Sequence, residues 1–168
     1  MKHLNYLEVI SLATERMAKG QALLTVGGAP PNTMTIAWGS IGYCWNMPVF
    51  TAYVRPQRHT HDILREQGRF TVSIALTDDR KEIFRMAGTT SGRDMDKFDG
   101  HGITAVPGQT VDAPVVGECQ LHFECVLRET TQMRGDAMDA DVRERCYPQQ
   151  DYHTIYMGEI VDCYRTDI

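Results

Sequence analysis

Arg55, Arg58 and Thr60 follow directly on an apolar run, residues 49–54, and stand where a helix should begin. A helix start offers free backbone N–H groups and a positive dipole end, and two guanidinium groups beside it supply bidentate donors. A second cluster, Ser91, Gly92, Arg93 and Lys97, adds a hydroxyl, two more cations and a turn at which the backbone can approach an anion. Any one of these cations alone reads as a solvated surface group. Two such clusters in a chain whose net charge is -5 point to a local phosphate site.

The elements that must position these groups lie between Asn32 and Arg69. Residues 34–38 and 49–54 are β-branched and aromatic runs flanking a Gly-rich connection, which is the pattern of paired strands. Before them, Leu4, Leu7, Ile10, Ala13, Met17 and Ala18 recur at helical spacing over residues 5–19, and Gly20 ends the helix. Residues 21–26 form a short strand candidate and residues 27–31 a turn. A helix opens at Thr60 or His61 and stops at Gly68. Residues 69–76 then alternate Phe70, Val72, Ile74 and Leu76, a strand with one buried face.

Asp78 or Asp79 can cap a helix over residues 80–87, and residues 94–98 hold at most one or two helical turns. A long strand signal covers residues 113–128 and a closing strand residues 152–164. The charged stretch between them, residues 133–150, reads as loop with short irregular elements. Several antiparallel strands with a few short helices give a mainly β or α+β domain with peripheral helices.

At 168 residues the chain is long enough for one domain with a proper core, so residues 1–168 read as a single domain. The acidic balance argues against a nucleic-acid surface. No apolar run approaches a membrane span and the N-terminus lacks the apolar core of a signal peptide, so a cytoplasmic location is expected. The five cysteines include no C-x-x-C pair and read as free thiols, with Cys44 of undetermined role. His59-x-His61 has no third ligand at zinc-site spacing, and no metal is expected.

Three segments, in order, carry a resemblance: Asn32-x-Met34-Thr35-x-x-Trp38-Gly39-Ser40, Tyr53-Val54-Arg55-Pro56-x-Arg58-x-Thr60, and Ser91-Gly92-Arg93-Asp94-x-Asp96-Lys97-Phe98. Together they resemble the flavin reductase-like family of FMN-binding split barrels, over nearly the whole chain. The resemblance implies a split β-barrel, FMN as cofactor, and hydride transfer from NADH or NADPH to the flavin. It assigns the phosphate end to Arg55, Arg58, Thr60, Ser91, Gly92, Arg93 and Lys97. The ring end reads as Asn32, Thr33, Met34, Thr35, Trp38 and Ser40, a strand edge with hydroxyls and apolar surface, and of these the resemblance carries over Met34, Thr35 and Trp38. Asp151-x-His153, ahead of Gly158-Glu159-Ile160, resembles the family's last motif, which makes His153 the candidate catalytic residue at the flavin's reactive edge.

The resemblance also implies a homodimer with the flavin at or beside the interface, for which Trp45, Met47, Phe50 and Tyr156 are surplus apolar candidates. Reduced flavin or its electrons would pass to a downstream acceptor. Other readings stay open: an FMN-holding electron carrier without efficient nicotinamide oxidation, a pyridoxamine-phosphate-oxidase-type enzyme, which fits the motifs less well, and a barrel that binds no flavin.

Overall fold

A computed structural model describes residues 1–166. Its main sheet is eight-stranded and antiparallel, in the order β3-β2-β6-β9-β10-β5-β4. These strands are β2 (Ala22–Val26), β3 (Asn32–Ile36), β4 (Gly39–Cys44), β5 (Met47–Val54), β6 (Arg69–Ile74), β9 (Leu121–Gln132) and β10 (Thr154–Arg165). The short β1 (Lys2–His3) pairs with β10, while β7 (Ala105–Val106) and β8 (Val115–Val116) pair with each other. Strands β3 and β4 are the two edges, yet only Ala37 and Trp38 lie between them. That link spans roughly 11 Å at full extension, so the sheet must curl until its edges meet there. The expected split barrel is therefore dictated by connectivity, and Trp38 stands at the seam.

The Gly-rich connection of the sequence reading is itself a strand. Residues 39–44 form β4, which pairs with β5 from Gly39↔Ala52 to Cys44↔Met47, whereas β3 pairs with β2. Trp45 and Asn46, at φ 50° and 60°, make the two-residue turn that right-handed strand twist favours. Low strand propensity in Gly39, Ser40 and Gly42 hid an element held by backbone pairing at an edge.

Phe50, Phe70, Val72, Phe123 and Tyr156 fill the barrel. Strand β6 is buried on both faces rather than one, because residues 107–119 cover its outer side: Thr71 Oγ1 donates to the Pro114 carbonyl at 2.6 Å, and Ser73 Oγ accepts from Val116 N at 3.0 Å. Four helices sit outside: α1 (Ile10–Ala18), α2 (His59–Gln67), α3 (Lys81–Thr89) and α4 (Ala140–Cys146). Gly68, at φ 65°, caps α2. Asp78 and Asp79 do not cap α3, since Asp79 is taken by Thr77 and Asp78 by Gln21 and Arg16. In the poorly patterned stretch α4 is capped by Asp139, which accepts from the amides of Asp141 and Val142. No helix of the described residues is long and apolar enough to cross a membrane.

Candidate functional site

Two cavities of about 420 and 210 Å³ lie end to end along β3, sharing Met34, Arg55 and Arg58 as walls. The larger is polar and gathers both clusters except Arg93. Strand β5 delivers Arg55, the turn after it delivers Arg58, and α2 opens on the cavity through His59 and Thr60. Asn32 Nδ2 donates to Thr60 Oγ1 at 2.8 Å and ties β3 to that helix start. Across from them sits the 91–92 turn. A Cβ on Gly92 would fall on the Asn32 carboxamide and within 3.1 Å of His59, so glycine is what lets this turn close in.

The cations of this end differ in what neutralises them. Arg55 is ion-paired with Asp151, and its other amino group donates to the Cys146 carbonyl at 3.2 Å. Arg93 does not line the cavity; it turns to Asp62 at 2.6 Å and to the Gln57 carbonyl at 2.9 Å. By contrast, Arg58 donates only to the Gly88 carbonyl, at 2.9 Å. Lys97 is 3% exposed, and its Nζ meets the carbonyls of Thr33 at 2.7 Å and Ala87 at 3.0 Å. Burial pushes the Lys97 amine down to about 8, and the Arg58 charge adds to the effect. Two cations bonded to neutral carbonyls thus face one polar cavity, as does His59, whose buried Nδ1 has no partner.

The smaller cavity is bounded by residues 34–38, Tyr53 and His153. Trp38 is 44% exposed, with its ring 5.0 Å from that of His153. Tyr147, absent from the motifs, lies behind it: its hydroxyl is 2.8 Å from His153 Nδ1 and 3.3 Å from Met133 Sδ. Burial first, then the charges of Arg55 and Arg58, push the His153 imidazole down to about 4, so at neutral pH it is uncharged. Thr35 donates its hydroxyl to the Phe84 carbonyl. Thr33 is buried and turned to Thr25 and Leu24 of β2, and only its carbonyl reaches the site, through Lys97. Ser40 is exposed on β4 opposite Thr51, outside both cavities, because the chain has already turned at Trp38 into the edge strand.

Sequence reasoning thus assembled Asn32, Met34, Thr35, Trp38, Arg55, Arg58, Thr60, Ser91, Gly92, Lys97 and His153 at one cleft and missed His59, Gln57 and Tyr147. His59 had a signal: it lies between Arg58 and Thr60, and its spacing to His61 drew attention to metal instead. His61 is in fact committed elsewhere, with Nε2 3.2 Å from Thr154 Oγ1. Tyr147 had no signal, being one aromatic residue in a charged, unpatterned stretch. A third cavity, of about 450 Å³, adjoins the ring end through Ala37, Trp38 and Tyr53 and is roofed by α4.

Comparison with known proteins agrees with the fold. Flavoredoxin of Desulfovibrio vulgaris (Miyazaki F) is 30% identical and superposes with a TM-score of 0.69, covering 87% of this chain and 69% of its own. An NADH:FAD oxidoreductase of Streptomyces globisporus shares the fold at a TM-score of 0.67 and 21% identity, over 99% of this chain and 88% of that one. A ferric-chelate reductase (NAD(P)H) of Archaeoglobus fulgidus is 30% identical over 109 residues, 61% of this chain and 64% of that protein. The model of the flavin reductase like domain matches residues 14–167, so the chain belongs to the flavin reductase-like domain family.

Proposed function

We propose that the protein is a flavin-dependent oxidoreductase that holds FMN across the two joined cavities and takes electrons from NADH or NADPH for a further acceptor. The observation that carries the reading is the shared wall: Met34, Arg55 and Arg58 join a polar cavity that holds two cations without carboxylate partners to one walled by Ile36, Trp38, Tyr53 and His153. A molecule with a phosphate at one end and a flat ring at the other matches that division. The donor set fits FMN, with Arg58, Lys97, Thr60, Ser91 and the unpartnered His59 Nδ1 for the phosphate and Met34, Trp38 and Tyr53 for the ring.

When bound, the isoalloxazine supplies hydride acceptance and stepwise electron transfer. The chain supplies position, apolar cover from Trp38, and a neutral imidazole at the ring end. The phenol donates to His153 Nδ1 in preference to the weakly accepting Met133 sulfur, which leaves the ring N–H on Nε2. His153 is then a fixed hydrogen-bond donor rather than a base. The relative named as an NAD(P)H ferric-chelate reductase supports the nicotinamide donor. The 30% identity to a flavoredoxin supports a second reading, an electron carrier that retains FMN and reacts slowly with nicotinamide.

We also propose a homodimer with the cleft beside its interface, and a single domain in a soluble, cytoplasmic setting. Visible absorption after reconstitution with FMN, followed by anaerobic addition of NADH or NADPH, tests the main reading. Flavin bleaching within a catalytic time is expected. Bound flavin that stays oxidised would leave the carrier, and no bound flavin would remove both.

A further inference from the structure

Arg55 leaves the barrel beside His153. Val54 and Thr154 are paired across β5 and β10, and these two residues are the next outward on their strands. The partners of the guanidinium lie in one stretch of chain, residues 146–151. One amino group is ion-paired with Asp151, the other donates to the Cys146 carbonyl at 3.2 Å, and the group stands 5.4 Å from the centre of the Tyr147 ring. Cys146 is the last residue of α4, where a helix leaves its carbonyls unpaired and favours a cation. A planar fork can meet a carboxylate, a carbonyl and a ring face together, which a compact ammonium cannot.

The same stretch carries the phenol that orients the candidate catalytic imidazole. Tyr147 follows α4 directly, with its hydroxyl 2.8 Å from His153 Nδ1 and its ring edge-on to that imidazole at 5.5 Å. Asp151 depends on Arg55 in turn. Its Oδ2 takes the ion pair and a long contact from Gln57 at 3.4 Å, while Oδ1 is buried with no partner among the described residues. Breaking such a pair leaves a charge that must find water, and the chain that carries it has to move.

We infer that Arg55 is a positioning residue: it clamps residues 146–151 to the barrel and thereby seats Tyr147 against His153, rather than serving as a ligand of the flavin phosphate. The consequence for hydride transfer rests on the function proposed above; the clamp does not.

Clamp and charge are separable, because they push His153 in opposite directions. Burial, then the charges of Arg55 and Arg58, hold its imidazole down at about 4, and the phenols whose rings meet it, Tyr53 and Tyr147, are uncharged there. Asp151→Ala keeps the Arg55 charge and removes its counter-charge, so charge alone would make His153 titrate lower still. Loss of the clamp uncovers the imidazole and raises it. Nitrogen NMR of His153 in flavin-free protein reads both titration and tautomer. Asp151→Ala should raise the midpoint by at least one pH unit and mix the tautomers, and Arg55→Lys, which keeps the charge without the fork, should act in the same direction. In Arg55→Met the preference for FMN over riboflavin should stay within threefold of wild type, while anaerobic flavin reduction by NADH or NADPH slows at least tenfold.

A midpoint at or below the wild-type value in Asp151→Ala, or a tautomer unaffected in both titrated variants, overturns the inference. So does a tenfold loss of FMN in Arg55→Met with riboflavin unaffected, which would return Arg55 to the phosphate. A raised midpoint in a protein that binds no FMN would sink the flavin reading and leave the clamp standing.

Discussion

Arg58 and Lys97 differ from Arg55 and Arg93 in having no carboxylate partner, and a phosphate group responds to charge that is not already spent. Charge-assisted hydrogen bonds contribute about 1.5–3 kcal/mol each. Arg58→Ala and Lys97→Met should each weaken FMN by about that amount and leave riboflavin unaffected, whereas Arg93→Ala should change FMN affinity little because Arg93 is held by Asp62. Fluorescence titration of both flavins against the three variants decides it, and an Arg93→Ala loss as large as that of Arg58→Ala would undo the assignment. The two residues are separated by chain position rather than by type, so sequence could gather the cations but not rank them. Which carboxylate neutralises which arginine depends on contacts 31 and 96 residues apart.

Lys97 adds a pH signature with opposite signs in two measurements. Its amine titrates near 8 in the folded protein against an ordinary value of 10.5. An incoming phosphate favours the charged form, so FMN affinity should fall as pH rises through 8, approaching about tenfold per pH unit at its steepest. Stability without flavin runs the other way. A folded value below the unfolded one means the unfolded chain holds more protons between about 8 and 10.5, so Lys97 adds stability as pH rises through that window and withdraws it as pH falls. Lys97→Met should flatten the affinity profile. A wild-type profile with no step near 8 would show that Lys97 does not titrate there.

At the scale of elements, strand β9 buries a carboxylate on the face where its alternation expects solvent. Glu124 is wholly buried and accepts the backbone amides of Gln109, Thr110 and Val111 at 2.6, 2.7 and 2.9 Å, with the Tyr164 hydroxyl at 2.7 Å. It fastens the loop that covers β6 to the barrel wall. Glu124→Ala would leave the buried Val111 amide and the buried Tyr164 phenol without a partner, along with the part-buried amides of Gln109 and Thr110; at about 1–3 kcal/mol for each buried unmet group, a loss of at least about 2 kcal/mol is expected in urea unfolding, with the cleft along β3 intact in the folded fraction. A loss below about 1 kcal/mol would mean that water replaces the carboxylate. The pattern Leu121, Phe123, Cys125, Leu127 made β9 legible as a strand. Nothing in that alternation revealed that its outer face is also buried, because the covering loop of glycines and prolines has no periodicity to read.

For the molecule as a whole, closure at Trp38 leaves two consequences, one for the core and one for the surface. Phe50 and Tyr156, which the sequence offered as interface residues, are fully buried in the barrel and cannot meet another chain. The surplus apolar surface lies instead on the β4–β5 hairpin, where Tyr43 is 66% and Trp45 47% exposed. Along the same hairpin β4 presents the unpaired edge of the sheet, a row of free backbone groups that proteins seldom leave bare. A two-fold contact along this edge would satisfy those groups twice over, since an isologous interface uses the same patch on both copies. Strand β4 begins one residue after Trp38, so such a contact borders the ring end of the cleft. Flavin and assembly are then linked, because a ligand that favours the paired state stabilises it. Sedimentation velocity at low concentration, with and without FMN, should find a wild-type dimer tightened by FMN and a monomeric Tyr43→Glu/Trp45→Glu protein that binds FMN more weakly. A wild-type monomer with undiminished FMN affinity would show that the single chain completes its own site, and that the hairpin aromatics serve something other than a second copy.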